Sequence, residues 1–317
     1  MILNRAGELL IILAVEAAVG YPHALYRRIR HPVVWMGQLI SLMDGKWNAG
    51  SERWRRASGC VLLLVLVAVA GGVGWIVERS VDTAALWAIA SWLTFLIVVL
   101  AATTAFAQRS LHDHVVAVLK PLQAEELSAA REAVAKIVGR DTQALTAQGV
   151  SAAAIESLAE SFCDGIVAPA FWFLLAGLPG VFIFKAISTA DSILGHKDDR
   201  HRAFGWAAAR ADDLMNLIPA RISGLIICIV GRGGLRTMLR DAPRHASPNA
   251  GWSEAAMAGV LARQLGGPVS YEGELTWRPT FGSGPPPEVA SLRTALRVYW
   301  LACIALWLIV GGVAWLL

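Results

Sequence analysis

Glu156, Glu160 and Asp164 recur every fourth residue, a spacing that puts three carboxylates on one face of a helix. Like charges at that interval destabilise a helix by a few tenths of a kcal/mol, and a bound cation relieves the repulsion. Oxygen-only ligands on one face suit Mg²⁺ bridging to phosphate; a solvated acidic face is the alternative. Asp191 precedes Gly195, a helix end, and then His196-Lys197-Asp198-Asp199-Arg200-His201-Arg202. A dense cationic loop of this kind can grip phosphates, or be an ordinary basic loop beside a membrane. Arg210, Asp212, Asp213 and Asn216 follow, with Arg221 beyond. Arg210 and Asp213 at i,i+3 suit an ion pair, while two acids and an amide beside a membrane mouth suit a metal or substrate site. The turn Ser247-Pro248-Asn249-Ala250-Gly251-Trp252 presents an amide and a large aromatic, or serves as a rigid connector. His112 and His114, two residues apart, point to opposite sides of a helix and do not form a joint ligand pair. His23 and His31 each neighbour a proline in a turn-like segment. The chain has no P-loop, Gly-rich dinucleotide fingerprint or nucleophile elbow.

These charges are set among elements greasy enough for a bilayer. Of 317 residues, 56% are hydrophobic and 16% charged, with mean hydropathy +0.53. A soluble domain carries roughly 45–50% apolar and about 25% charged residues. The expected fold is therefore all-α: a polytopic membrane helical bundle with a cytoplasmic helical active-site region, forming one integrated domain over 1–317. The net charge of +4 resides mainly in loop arginines that set topology, which argues against nucleic-acid binding. Cys60, Cys163, Cys228 and Cys303 form no CxxC or Cys/His pattern, so reduced thiols and no structural metal are expected. Glu8 and Glu16 interrupt the first apolar segment, which does not read as a signal peptide.

A crossing helix needs about 20 apolar residues. Cys60–Val77, Ala84–Ala107 and Val298–Leu317 qualify, and Leu9–Val19 is short and acidic. Arg27, Arg28, Arg30, Lys46, Arg53, Arg55 and Arg56 in the first loop, against Arg79 alone in the second, place the first loop in the cytoplasm. A cytoplasmic helical insertion is then expected over about 108–165, with a site region over about 156–254. Ala170–Ile187, broken at Leu178-Pro179-Gly180, and the short Ile222–Gly231, with Pro219 and Arg221 at its mouth, both suit re-entrant or bundle-packed segments; two ordinary tilted spans are the alternative. Within the insertion, periodicity predicts a helix over Pro121–Val138, Asp141 or Thr142 as the next cap, and Ser151 as N-cap of a helix to about Phe162. Ser253 is the expected cap of a further helix, and Gly282–Pro287 reads as a loop. Residue types and spacing thus lead to a membrane protein with an acidic–basic site for phosphate and Mg²⁺.

The chain also resembles the adenosylcobinamide-phosphate synthase family, the CobD/CbiB proteins of cobalamin biosynthesis. The resemblance rests on His31-Pro32-Val33, Gly139-Arg140-Asp141-Thr142, Glu156-Ser157 with Glu160, Asp164-Gly165, Ala168-Pro169, Lys185-Ala186 and Asp191-Ser192. It continues through Phe204–Arg210, Asp212-Asp213, Pro219-Ala220-Arg221, Ser247–Ala255 and Leu265-Gly266-Gly267, in order over nearly the whole chain. Departures occur at Gly20-Tyr21-Pro22, Ser188-Thr189 and Ser161-Phe162, the first where the family carries an aspartate turn. The resemblance implies ATP-dependent ligation of aminopropanol phosphate, or threonine phosphate, to a propionate of adenosylcobyric acid, giving adenosylcobinamide phosphate. It also implies a bacterial inner-membrane enzyme with a cytoplasmic site, working with ATP and Mg²⁺, beside other corrinoid-pathway membrane enzymes. Glu156, Glu160, Asp164, Asp191 and Asp212 are assigned to metal–ATP. Arg140, Lys185, Lys197, Arg210 and Arg221 are assigned to phosphates, Asn249 and Trp252 to the corrin. Asp213 or His196 is assigned as general base, and Glu156, Glu160 and Asp164 complete the catalytic set. A Mg²⁺-dependent membrane phosphotransferase and a transporter or signalling relative are the competing classes.

Overall fold

The computed structural model describes residues 4–21, 31–84, 88–195, 198–271 and 273–316. The described chain is helical apart from two short hairpins. Among the described residues, four helical runs are long and apolar enough to cross a membrane: Glu52–Ser80, Phe95–Gln123, Ala147–Leu194 and Val289–Leu316. A fifth is added if Trp206–Met215 and Leu217–Val230 are taken as one. This is a polytopic membrane protein, as its composition requires. The described part of the expected third span at Val298–Leu317 lies within the last run. The two runs that enter 108–165 show that apolar helix also extends into the expected insertion.

The chain folds into two compact units, each discontinuous in sequence. Unit 1 comprises Met1–Ala107, Ala168–Met215 and Val310–Leu317. It holds α1 (Arg5–Val19), α2 (Pro32–Trp47), α3 (Glu52–Ala84) and α4 (Ala88–Thr103). It also holds α8 (Ala168–Leu194), α9 (His201–Phe204) and α10 (Trp206–Met215). Asn4 caps α1 by accepting from the Gly7 N–H at 2.9 Å, and at 15 residues α1 is too short to cross. His31 caps α2, with Pro32 at the first helical position, where a missing N–H costs nothing. The core of the unit joins Ile40 of α2, Leu62, Leu66 and Ala70 of α3, Ala186, Ala190 and Leu194 of α8, and Phe204 and Ala208.

Helix α8 is broken, at Ala176 (φ −136°) and Gly177 (φ 63°), one residue before the expected Leu178-Pro179-Gly180. Pro179 lacks an N–H for the ladder, and the left-handed backbone falls on Gly177, where a side chain is disfavoured. The break is seated against α3. A Cβ on Gly177 would come within 2.4 Å of a Glu78 carboxylate oxygen, and one on Gly74 within 2.7 Å of the Pro179 nitrogen. Arg5 donates to the Leu175 carbonyl at 3.1 Å, satisfying a backbone group that the break releases.

Unit 2 comprises Gln108–Val167 and Asn216–Ile309. Its helices are α5 (Gln108–Gln123), α6 (Leu127–Val134) and α7 (Ala147–Phe162), followed by a π-helical turn at Cys163–Val167. Then come α11 (Leu217–Val230), α12 (Leu235–Asp241), α13 (Ala250–Leu261) and α14 (Val289–Leu316), which begins in this unit. Strands β1 (Leu265–Gly266) and β4 (Thr280–Phe281) pair antiparallel around the hairpin of β2 (Val269–Tyr271) and β3 (Glu274–Thr276). The fully buried Gln108 anchors α14: Tyr299 donates to its carbonyl at 2.7 Å and Trp307 to its side-chain oxygen at 2.9 Å.

Several expected helix starts move. Leu127, not Pro121, begins the helix after a turn at 124–126. Thr146 caps α7, accepting from the Gly149 N–H at 3.1 Å, and Ser151 lies one turn inside, bonded to the Ala147 carbonyl. Asp141 caps none of the described helices; it accepts from Ser270 Oγ and the Gly273 N–H at 2.6 and 2.9 Å and fastens its loop to the β2–β3 hairpin. Ser253 is buried inside α13, against the Ser223 hydroxyl, because the helix already starts at Ala250. Polar residues near a helix start read alike in sequence, and tertiary partners select among them.

Candidate functional site

Unit 2 contains a cavity of about 140 Å³, lined by Arg140, Glu156, Glu160, Glu254, Tyr271 and Arg278 among others. They come from five separate stretches of chain. Arg140 stands in the loop that Asp141 ties down. Glu156 and Glu160 are one turn apart on α7, Glu254 is on α13, Tyr271 is on β2, and Arg278 lies between β3 and β4. Glu156 and Glu254 are buried at 2% and 1% exposure, whereas Glu160 and Tyr271 are exposed at the rim. Buried carboxylates persist only when paired. Arg140 ion-pairs with Glu156 Oε2, which also lies 3.8 Å from Arg278, and the Gly266 N–H donates to Oε1 at 2.8 Å. Gly266 permits that approach: its φ is 75°, and a Cβ would meet the Pro279 carbonyl at 2.3 Å. Glu254 is held more loosely, with Arg278 Nη2 at 3.3 and 3.4 Å from its two oxygens and His245 at 3.9 Å.

Burial, and then the negative charges of Glu156 and Glu160, push the Glu254 pKa well above the usual carboxylate range. Burial opposes the Arg278 charge, but Glu254 and then Glu156 outweigh it and hold that guanidinium above the ordinary arginine value.

A second cluster in unit 2 joins Arg221, Asn249 and Trp252. Arg221 donates to Asn249 Oδ1 at 2.9 Å and lies 4.6 Å over the Trp252 ring. Asp164 lies in the π turn beyond the end of α7, where the one-face spacing of Glu156 and Glu160 no longer applies. The cavity accordingly takes in Glu156 and Glu160 and not Asp164. Single π turns inside helical runs frequently mark functional sites. Cys163 of the same turn contacts Asn216, the residue preceding α11, at 3.9 Å.

The remaining expected residues belong to unit 1. Lys185 and Asp191 are on α8, and Arg210, Asp212 and Asp213 on α10. Arg210 and Asp213 form the i,i+3 ion pair at 3.3 Å. His196 and Lys197 lie outside the described residues. The flanking basic loop is engaged internally: Arg200 donates to the buried Asp44 at 2.5 Å, His201 pairs with Asp198 at 2.9 Å, and Arg55 donates to the Asp199 carbonyl. Among the described residues, no group of three or more His, Cys, Asp or Glu stands close enough to hold a metal ion on its own.

Sequence reading missed Glu254, His245, Tyr271 and Arg278. A carboxylate in the otherwise small and apolar Ala250–Leu261 was the available signal for Glu254. Arg278 had none, since only the nested hairpin returns it to α7 and α13.

The model of the family described as CobD/Cbib protein matches residues 9–299 of the chain. A "Cobalamin biosynthesis protein CobD" of Rhodobacter capsulatus is 45% identical, with 98% of each chain covered. Proteins of the same name from Rhizobium meliloti and Brucella suis biovar 1 are 40% and 42% identical. Coverage is 94% of both chains for the first, and 92% of this chain and 91% of the relative for the second. No solved structure matches.

Proposed function

The chain belongs to the CobD/CbiB family, and from that premise we propose that it joins an amino-alcohol phosphate to a propionate carboxylate of adenosylcobyric acid, with ATP as the activating co-substrate. Its place in cobalamin biosynthesis, and hence a corrinoid substrate, follows from the family. The observation that supports the ligation is the unit 2 cavity, where carboxylates and guanidiniums of a membrane protein converge on an open space. A carboxylate is a poor electrophile, so it must be activated by ATP, in this proposal as an acyl phosphate, before an amine displaces its oxygen. Phosphoryl transfer of that kind depends mainly on positioning and charge neutralisation.

Magnesium is commonly held by one or two carboxylates together with substrate phosphates, and the donor set in unit 2 fits that usage. The Glu156 oxygens are engaged by Arg140 and the Gly266 N–H, and Glu160 and Asp164 keep their proposed metal role from the resemblance. The ion would neutralise phosphate oxygens. Arg221, stacked on Trp252 and bonded to Asn249, offers a guanidinium beside an amide and a large ring, suited to a corrin side chain. Asp191, Asp212, Asp213, Lys185, Lys197 and Arg210 keep their proposed roles from the resemblance, with the site at the cytoplasmic face of the inner membrane.

Purified protein in detergent, given adenosylcobyric acid, aminopropanol phosphate, ATP and Mg²⁺, should yield a corrinoid at the mass of the phosphorylated amide, only with ATP. Threonine phosphate is the second donor to try. Asp164→Asn should remove the activity while the protein stays folded, and full activity of that variant would remove Asp164 from the metal site. The broken α8 favours transport as a second reading, because discontinuous helices mark transporter binding sites. Corrinoid flux into proteoliposomes without ATP consumption would support it.

A further inference from the structure

In unit 1, the first two turns of α3 carry Arg53, Arg55 and Arg56 against a single acid, Glu52. Arg55 is engaged internally, donating to Asn48 Oδ1 and to the Asp199 carbonyl, each at 2.7 Å. Arg53 and Arg56 are exposed and, among the described residues, pair with no carboxylate. Arg56 lies 4.7 Å over the ring of Trp206, the first residue of α10. A guanidinium stacked by its face keeps its in-plane N–H donors for another acceptor. Gly59 brings the two elements together: a Cβ there would overlap the Phe204 carbonyl oxygen, so α3 meets the α9–α10 corner backbone to backbone. At about 1.5 Å per residue, the 33-residue α3 is about 50 Å long, against a hydrocarbon core of about 30 Å. Its continuous apolar sequence starts at Cys60, so residues 52–59 stand at headgroup depth. Beyond them the outer face is apolar. Val61 and Val65 follow Trp54 at i,i+7 and i,i+11, Leu64 follows Arg53 at i,i+11, and Trp54, Val61, Leu64 and Val65 are all exposed.

We propose that this surface of unit 1 binds an anionic phospholipid. Arg53 and Arg56 take the phosphate, Trp54 and Trp206 flank it in the headgroup layer, and the acyl chains lie along Val61, Leu64 and Val65. The exposed stripe selects a lipid over a soluble phosphate, because only a lipid carries apolar chains on the same headgroup. Charge selects an anionic headgroup over a zwitterionic one. Each Lys or Arg at the surface gains from anionic lipid, whereas the ammonium of a zwitterionic headgroup meets the same two guanidiniums as a like charge. The two indoles suit this depth, with an apolar ring and one N–H donor each. Orientation of the chain in a bilayer needs only that its arginines stay on one side; here two guanidiniums and two rings also stand together at the head of an apolar stripe. The bound lipid bridges α3 to the start of α10, the helix that bears Arg210, Asp212 and Asp213. The site is independent of the ligation chemistry proposed above.

Native mass spectrometry of the full chain in detergent tests this, with phosphatidylglycerol and phosphatidylcholine of identical acyl chains added in turn. Wild type should retain phosphatidylglycerol at least about tenfold more tightly, and less so as ammonium acetate is raised. Arg53→Ala combined with Arg56→Ala should lose at least about tenfold of that affinity. Lys136→Ala combined with Arg236→Ala, an equal loss of exposed charge in unit 2, should keep it. Soluble glycerol phosphate in large excess should not displace the lipid. Equal retention of the two lipids by wild type would leave only an apolar annulus and overturn the proposal, with no variant needed. Displacement by glycerol phosphate would make this a soluble-phosphate site and overturn it as well. Unchanged retention by the Arg53/Arg56 variant, or an equal loss in the Lys136/Arg236 variant, would overturn the assignment to these two arginines.

Discussion

The Asp44 network of unit 1 and the Glu156–Glu254 cavity of unit 2 are built from the same residue types and do opposite things. Asp44 is buried and meets Arg200 and Asn48, while Asp198 meets His201. Hydrogen bonding from His201 leads the causes that hold Asp198 below the usual carboxylate range. Acids there have donors close by, and the network fastens the 198–202 loop to α2. In unit 2, Glu156 is equally well matched, but Glu254 shares Arg278 with it and opens on a cavity. Dense charge alone does not mark a site; unbalanced buried charge beside open space does, because only there can a ligand relieve an electrostatic cost.

The sharpest way to break that comparison is Glu156→Ala. It leaves Arg140 and Arg278 facing each other across the cavity, and loss of a buried partner costs about 3–5 kcal/mol. Detergent thermal melts should show a large drop, and a small one would mean that the pairs are screened by water. Asp241 is a fully matched control in unit 2: it is buried, paired with Arg240 and Arg244, and accepts from the Gly282 N–H at 2.9 Å. Asp241→Ala should cost about 1–3 kcal/mol through the abandoned donors. The Arg240 hydrogen bond leads the causes that hold the Asp241 pKa down at about 2. A depressed carboxylate contributes stability above its unfolded pKa and loses it as pH falls, so the gap between wild type and variant should close between about pH 4 and 2.

Glu254→Gln should move stability the other way. A raised carboxyl loses its stability contribution as pH rises through the folded pKa, so wild type should weaken at alkaline pH relative to the variant. Without amine substrate, melts should then favour Glu254→Gln at pH 8 over pH 5; a pH-independent difference would remove Glu254 as the titrating group. The smallest effect belongs to Arg200→Ala. Its side chain is 63% exposed, and such a pair contributes about 0–1 kcal/mol. Ligation rates should stay near wild type, and a large loss of rate would return the loop to the phosphate-binding role that its composition suggested.

Composition and periodicity determined that this is a helical membrane protein, that α8 breaks near Pro179, and that Glu156 and Glu160 belong to a candidate site, while the family resemblance added Arg140. These properties follow from local chemistry: apolar length, a missing N–H, and carboxylates one turn apart. Only the tertiary structure decided which charges face a cavity. The π turn at Cys163–Val167 takes Asp164 out of the α7 spacing, and Asp141 pins a hairpin in place of capping a helix. The nested strands bring Arg278 from far along the chain to Glu156 and Glu254. Pairing between distant segments depends on burial and shape, and buried polar groups choose partners that no local pattern encodes. Glu254 stands in sequence only as one residue of the Ser247–Ala255 stretch, and the fold alone shows which charges it faces.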